Sequence, residues 1–222
     1  MSVNRYGLAR TIPSKIKAEV RERCGFGCVV CGAIPYDFDH LRTPFASAQS
    51  HDPDDIVLLC SEHHRKKSSG LLDVDSVIQA WSSHAKDRPC RFRLDATRQD
   101  FCVEWPAIDV NANENSLLIS PYSVLELQLN ECELEPVVIF GEFCDLNGQA
   151  LCTIDHNEFT AIPSRLGDLT LSGNKFTFRT PTKHVALEFI LSPKGMTILK
   201  MFHVFEGCAV KGDQEKMLLS NG

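Results

Sequence analysis

The 222-residue chain has no apolar run as long as about 18 residues, so no membrane-spanning helix is expected. Its first ten residues, Met-Ser-Val-Asn-Arg-Tyr-Gly-Leu-Ala-Arg, lack the apolar core of a secretion signal, and we expect a cytoplasmic protein. Fixed-period repeats and low-complexity tracts are also missing, which argues against a solenoid or a linker-rich chain. A net positive charge is lacking too: the formal balance is −6. The shortage of cations is uneven. Residues 1–100 hold 15 Lys+Arg against 13 Asp+Glu, a balance of +2, while residues 101–222 hold 8 against 16, a balance of −8. The second half is therefore a poor binder of polyanions, and it contains no grouping of catalytic type.

Cysteine and apolar residues are present in quantity. Ten cysteines in a reducing compartment point to metal ligands and buried thiols more than to disulfides. A hydrophobic fraction of 43% is enough for a core, and the length suits one long domain or two small ones.

The hydrophobic period changes along the chain. Lys15–Cys24 reads as an amphipathic helix with Ile16 and Val20 on one face, Ser14 as its cap and Gly25 as its left-handed stop. Ala33–His40 and Ile56–Leu59 read as strands separated by a loop. A helix capped by Ser61 should follow, and another over Asp73–Trp81. The basic run Lys86–Arg98 falls where a linker is expected. Beyond Phe101 the period becomes two: Phe101–Trp105, Ser116–Ser120 and Val124–Leu129 alternate. Three hairpins are predicted, around Asn147-Gly148, Ser172-Gly173-Asn174 and Ser192–Gly195, with fraying from about Lys211. The fold class expected is α+β: an N-terminal domain over residues 1–98, then an antiparallel all-β, sandwich-like domain over residues 99–222.

The segment from Cys28 to Lys67 carries the chemistry. Cys28 and Cys31 stand two residues apart, and so do Cys60 and His63. Two pairs at knuckle spacing make a four-ligand tetrahedral zinc set. The fourth ligand could be His63, which keeps the gap of two, or His64, which makes it three; His63 is preferred because it leaves His64 free. Asp39 and His64 together could hold one hard divalent cation, Mg²⁺ or Mn²⁺. His40, next to Asp39, can take a proton from water near neutral pH. Asp55 could accept from the other ring nitrogen of His40 and fix its tautomer.

These residues carry a resemblance. CVVCG at 28–32, DFDH at 37–40 and DDIVLLCSEHHRKK at 54–67, with RTIPSKIKAEVRERCGFG before them, resemble the HNH endonucleases, the zinc-bearing form of the ββα-metal nucleases. The likeness covers about residues 8–85. It implies a structural zinc on Cys28, Cys31, Cys60 and His63, and a catalytic Mg²⁺ or Mn²⁺ on Asp39 and His64. It also implies His40 as general base, and phosphodiester hydrolysis leaving 5′-phosphate and 3′-hydroxyl ends. Asp55 departs from the family pattern, standing where asparagine is usual. A carboxylate there could still orient His40 and raise its basicity, and it adds negative charge beside a phosphate. A catalytically inactive zinc-stapled module that binds DNA or protein is the alternative.

The expected partner is nucleic acid, DNA in the first instance. Arg65, Lys66 and Lys67 on the helix after the second ligand pair, with Lys15 and Arg21 on the first helix, would track the phosphate backbone. The acidic second half is expected to meet a protein partner or a second copy through an edge strand. Its histidines (His156, His184, His203) are expected in core or surface roles. Its cysteines (Cys102, Cys132, Cys144, Cys152, Cys208) are expected as buried thiols.

Overall fold

Local chemistry sets the first helix. In a computed structural model, which describes residues 3–84, 88–97, 100–104, 116–119, 122–145, 147–205, 208–213 and 215–221, α1 runs Ser14–Arg23. Pro13 occupies the cap position, and Ser14 is the first helical residue and not the expected cap. At the other end Gly25 adopts φ 69°, and its N–H reaches Glu22 O at 3.3 Å. The N–H of Phe26 reaches Arg21 O at 2.9 Å, so the last carbonyls of the helix are satisfied by a left-handed turn, as the glycine predicts.

The chain divides into two units, Met1–Arg91 and Phe92–Gly222. In the first, β1 (Asp37–His40) and β2 (Ile56–Leu59) pair antiparallel, with Asp39 opposite Val57 and His40 opposite Ile56. β1 is shorter than the expected 33–40 span. Pro35 has no N–H to give a ladder, and Ala33 bridges Arg91 instead. Then come α2 (Ser61–Ser68) and α3 (Val74–His84). Cys60, not Ser61, holds the cap position of α2. Asp73 caps α3 by accepting the Ser76 N–H at 2.8 Å and the Ser76 hydroxyl at 2.7 Å.

β2 is buried on both faces, which is why its sequence is a continuous apolar run. Ile56, Val57, Leu58 and Leu59 form one cluster with Ile12, Val20, Val29, Leu41 and Val77. Two of the expected zinc ligands, Cys28 and Cys60, belong to that cluster. Truncating Leu58 to alanine should cost roughly 2–5 kcal/mol in urea unfolding, because a fully buried leucine leaves a cavity that a short strand cannot close.

The run expected as a linker holds a strand. β3 (Cys90–Arg93) buries Cys90 and Phe92 and exposes Arg91 and Arg93, so the arginines stand on the outer side of an alternating strand. The strands after it are β4 (Cys102–Glu104), β5 (Ser116–Ile119), β6 (Tyr122–Leu129), β7 (Val137–Cys144), β8 (Ala150–Asp155) and β9 (Glu158–Ala161). They continue with β10 (Asp168–Ser172), β11 (Lys175–Arg179), β12 (Val185–Ser192), β13 (Gly195–Phe205), β14 (Cys208–Gly212) and β15 (Met217–Asn221). One sheet has the order β3-β9-β8-β7-β6-β5; the other runs β10-β11-β12-β13-β14-β15, with β4 beside β13. The β4–β13 pair is parallel and the remaining pairs with a described register are antiparallel.

All three predicted hairpins are present, as β7–β8, β10–β11 and β12–β13. The stretch from Lys211 is not frayed: β15 pairs with β14 over five positions, Cys208–Gly212 against Met217–Asn221. The end of the expected 101–105 strand, Trp105, lies outside the described residues. The two sheets meet through phenylalanines. Phe92 stacks on Phe159 at 4.8 Å and on Phe176 at 4.7 Å, and Phe159 meets Phe178 at 4.9 Å, all buried. Of the cysteines here, Cys144 and Cys152 are buried as expected, but Cys102 is half-buried and Cys132 exposed. The Cys208 side chain lies outside the described set. His203 is buried, while His156 and His184 are exposed. Among the described residues no helix is long and apolar enough to cross a membrane.

Candidate metal centre

The knuckle after α1 is shaped by backbone contacts. Gly32 N–H reaches Cys28 O at 2.7 Å, and Cys28 N–H reaches Ala33 O at 3.0 Å. Gly32 adopts φ +75°, and a Cβ there would lie 2.3 Å from Pro89 O, so this turn requires glycine. Val29 N–H reaches Leu58 O at 3.0 Å, which fastens the knuckle to β2. Arg88 donates to Val29 O at 2.6 Å from the far side. Cys60 ends β2 and His63 lies in the first turn of α2, so the knuckle and the helix start converge.

Cys28, Cys31, Cys60 and His63 place their ligand atoms within 4.8 Å of one another. Cys31 Sγ lies 3.8 Å from Cys60 Sγ, and His63 Nδ1 lies 3.6 Å from Cys28 Sγ and 3.2 Å from Cys60 Sγ. Ligands around a tetrahedral zinc with ordinary bond lengths stand about 3.8 Å apart for sulfur–sulfur and about 3.6 Å for sulfur–nitrogen. The group therefore has close to the dimensions of a Cys₃His coordination shell, and it could hold a metal ion such as zinc.

The thiols behave accordingly. A hydrogen bond from Cys31, helped by backbone amides that include those of Val30 and Cys31 itself, draws the Cys28 thiol down. Sharing that proton pushes Cys31 up. Cys24 and Cys90, in the same unit but outside the group, are pushed up to about 12 by burial, as inert structural thiols are.

A second grouping lies on the same α2. Asp39 Oδ1 is 3.2 Å from His64 Nε2, and Asp39 Oδ2 is 2.5 Å from Lys67 Nζ. Lys67 also donates to the backbone carbonyl of His40 at 2.8 Å. Two ligands at right angles on a Mg²⁺-sized octahedral ion, bonded at about 2.1 Å, stand about 3.0 Å apart. The Oδ1–Nε2 separation suits that geometry. His63 thus faces the sulfurs and His64 faces the carboxylate, from adjacent positions on one helix.

His40 faces the other way. Successive strand residues point to opposite sides, so Asp39 meets α2 while His40 meets the 41–55 loop. Its ring lies 5.8 Å from Phe45 and 5.5 Å from His51, and its Nε2 is buried without a hydrogen-bond partner. Burial, then the neighbouring His51, lowers its pKa below the usual 6.5, which keeps the ring neutral. A pocket of about 170 Å³, lined by His40, Thr43, Asp52 and Asp55 among others, opens beside it.

Asp55 does not take the expected place on the His40 ring. Its Oδ1 accepts the Arg42 N–H at 2.7 Å and its Oδ2 accepts the Thr43 N–H at 2.9 Å. The residue fixes the turn that leaves β1, as a short carboxylate at a loop mouth does.

The expected phosphate contacts divide. Arg65 and Lys15 are exposed, and Arg21 is half-buried. Lys66 pairs with Glu62 at 2.5 Å along the helix surface. Lys67 is turned inward onto Asp39 and leaves the expected phosphate-tracking row. It stands three residues after His64, hence on the same helix face. The placing of His51 beside His40 had no signal, since a long loop sets it. Comparison with protein-family models, with curated proteins and with solved structures finds no match.

Proposed function

We propose that the first unit is a zinc-stapled, metal-dependent endonuclease of the HNH type, acting on DNA. The observation that carries this reading is the separation of the two groupings on α2: His63 joins three sulfurs, and His64 stands 3.2 Å from Asp39. Zinc on Cys28, Cys31, Cys60 and His63 would have a structural role, since all four positions are filled by protein. Asp39 and His64 would hold Mg²⁺ or Mn²⁺, which when bound supplies positive charge to a scissile phosphate and its leaving oxygen.

The residues of the chain divide the remaining work. His40, kept neutral, removes a proton from the attacking water. In-line displacement at phosphorus puts the attacking and leaving oxygens on opposite sides, so base and ion must not share one spot. The alternation of β1, with Asp39 to one side and His40 to the other, meets that need. Asp55 holds the turn after His40, and Thr43 and Asp55 border the pocket beside the imidazole. Arg65 and Lys15 supply exposed cations for the phosphate backbone.

A second reading, a binding module without catalysis, draws on one observation. Lys67 already neutralises part of Asp39. Nicking of supercoiled plasmid with Mg²⁺ or Mn²⁺ separates the two readings, with His40→Ala as the control. Activity that depends on His40 supports the nuclease; no activity in either protein supports the binding module.

A further inference from the structure

We propose that Lys67 is a positioning residue that sets which divalent ion the Asp39–His64 pair accepts, favouring small octahedral ions over Ca²⁺. The inference rests on the ion-binding reading of that pair. Asp39 has two oxygens, and they face different partners: Oδ1 faces His64 Nε2 at 3.2 Å, and Oδ2 faces Lys67 Nζ at 2.5 Å. The lysine is itself held. Its ammonium also donates to His40 O at 2.8 Å, and its side chain is only 15% exposed, next to a carboxylate that is 14% exposed. Bridging the side chain of one strand residue and the main chain of the next, Lys67 locks the carboxylate plane against β1.

A carboxylate held in this way offers an ion one oxygen. Mg²⁺ and Mn²⁺ use single carboxylate oxygens within an octahedron and fill the other positions with water. Ca²⁺ gathers six to eight oxygens at longer distances and commonly takes a carboxylate through both. Lys67 removes the second oxygen, and with it the two-point grip that Ca²⁺ would use. Its positive charge weakens every divalent ion alike and cannot by itself discriminate among them. The discrimination comes from the denied oxygen.

Calorimetric titration of the zinc-loaded full chain with Mn²⁺ and with Ca²⁺ tests this, with Asp39→Asn defining the heat that belongs to the site. Wild type should prefer Mn²⁺. In Lys67→Met the preference should shrink by about tenfold or more, the scale on which residues behind metal ligands act. Lys67→Arg, which keeps a donor to Oδ2, should stay near wild type. Lys67→Gln carries the same expectation as the methionine variant and stands in for it if that protein fails to retain zinc. An unchanged Mn²⁺-to-Ca²⁺ ratio in a folded Lys67→Met or Lys67→Gln protein overturns the role of Lys67 and leaves the ion site standing. Wild type without any Asp39-dependent Mn²⁺ binding overturns both.

Discussion

Replacing Cys60 by serine should unfold the first unit. The reason is the position of the ligand. Cys60 is buried at the junction of β2 and α2, and Cys28 and Cys60 belong to the same apolar cluster as Ile56–Leu59. A structural zinc shell converts its binding free energy into folding free energy, and small zinc-dependent units unfold when metal is withdrawn. Loss of one ligand should cost on the order of 5 kcal/mol, against a total stability of roughly 5–15 kcal/mol for an ordinary domain. Circular dichroism should report loss of helix, and zinc analysis should fall from one equivalent to a small fraction of it. A strong chelator added to wild type should have the same effect. Cys90→Ser serves as the contrast. Cys90 Sγ donates to Gly25 O at 2.9 Å, a contact that a hydroxyl can keep, so this variant should retain its zinc.

His40→Ala should abolish plasmid nicking while leaving zinc content and the unfolding transition nearly unchanged. A positioned general base contributes about 10²–10⁴-fold, so the fall should be at least about a hundredfold. The half-buried ring packs against Phe45 and His51 and is not one of the Cys28, Cys31, Cys60 and His63 group, which is why stability should largely survive. The pH profile should carry the same signature. A His40 pKa lowered by burial leaves the imidazole unprotonated at pH 7, so cleavage should hold through neutral pH. It should decline only on the acid side, with the limb below 6.5. A limb above 6.5 would place the base elsewhere.

Much of the N-terminal order was legible because each signal is local. The knuckle spacing, the apolar run 56–59 and the helical spacing of Val74, Val77, Ile78 and Trp81 each depend on a few neighbours. The two-residue gaps bring out Cys28, Cys31, Cys60 and His63 as a set, while the choice of His63 over His64 needs the fold, which puts His63 with the sulfurs. Asp55 has no local signal for its place, which depends on the turn after β1, where two backbone N–H groups each take one of its oxygens. Lys67 reads as a surface cation because charge composition does not show which side of a helix is covered. The basic stretch near Arg91 and Arg93 read as a linker for a similar reason. Its arginines are conspicuous, while Cys90 and Phe92, which make it a strand, are only two apolar residues. The three later hairpins were legible from their turn residues, but the parallel β4–β13 pair joins positions over ninety residues apart and had no local trace.

The account turns on two ions held apart by adjacent histidines of one helix. Anomalous diffraction from Mn²⁺-soaked crystals, recorded at the zinc and manganese edges, addresses this directly. We expect a zinc peak enclosed by Cys28, Cys31, Cys60 and His63, and a separate manganese peak between Asp39 and His64. A single peak at the sulfur group, with no manganese near Asp39 at saturating concentration, would contradict the nuclease reading.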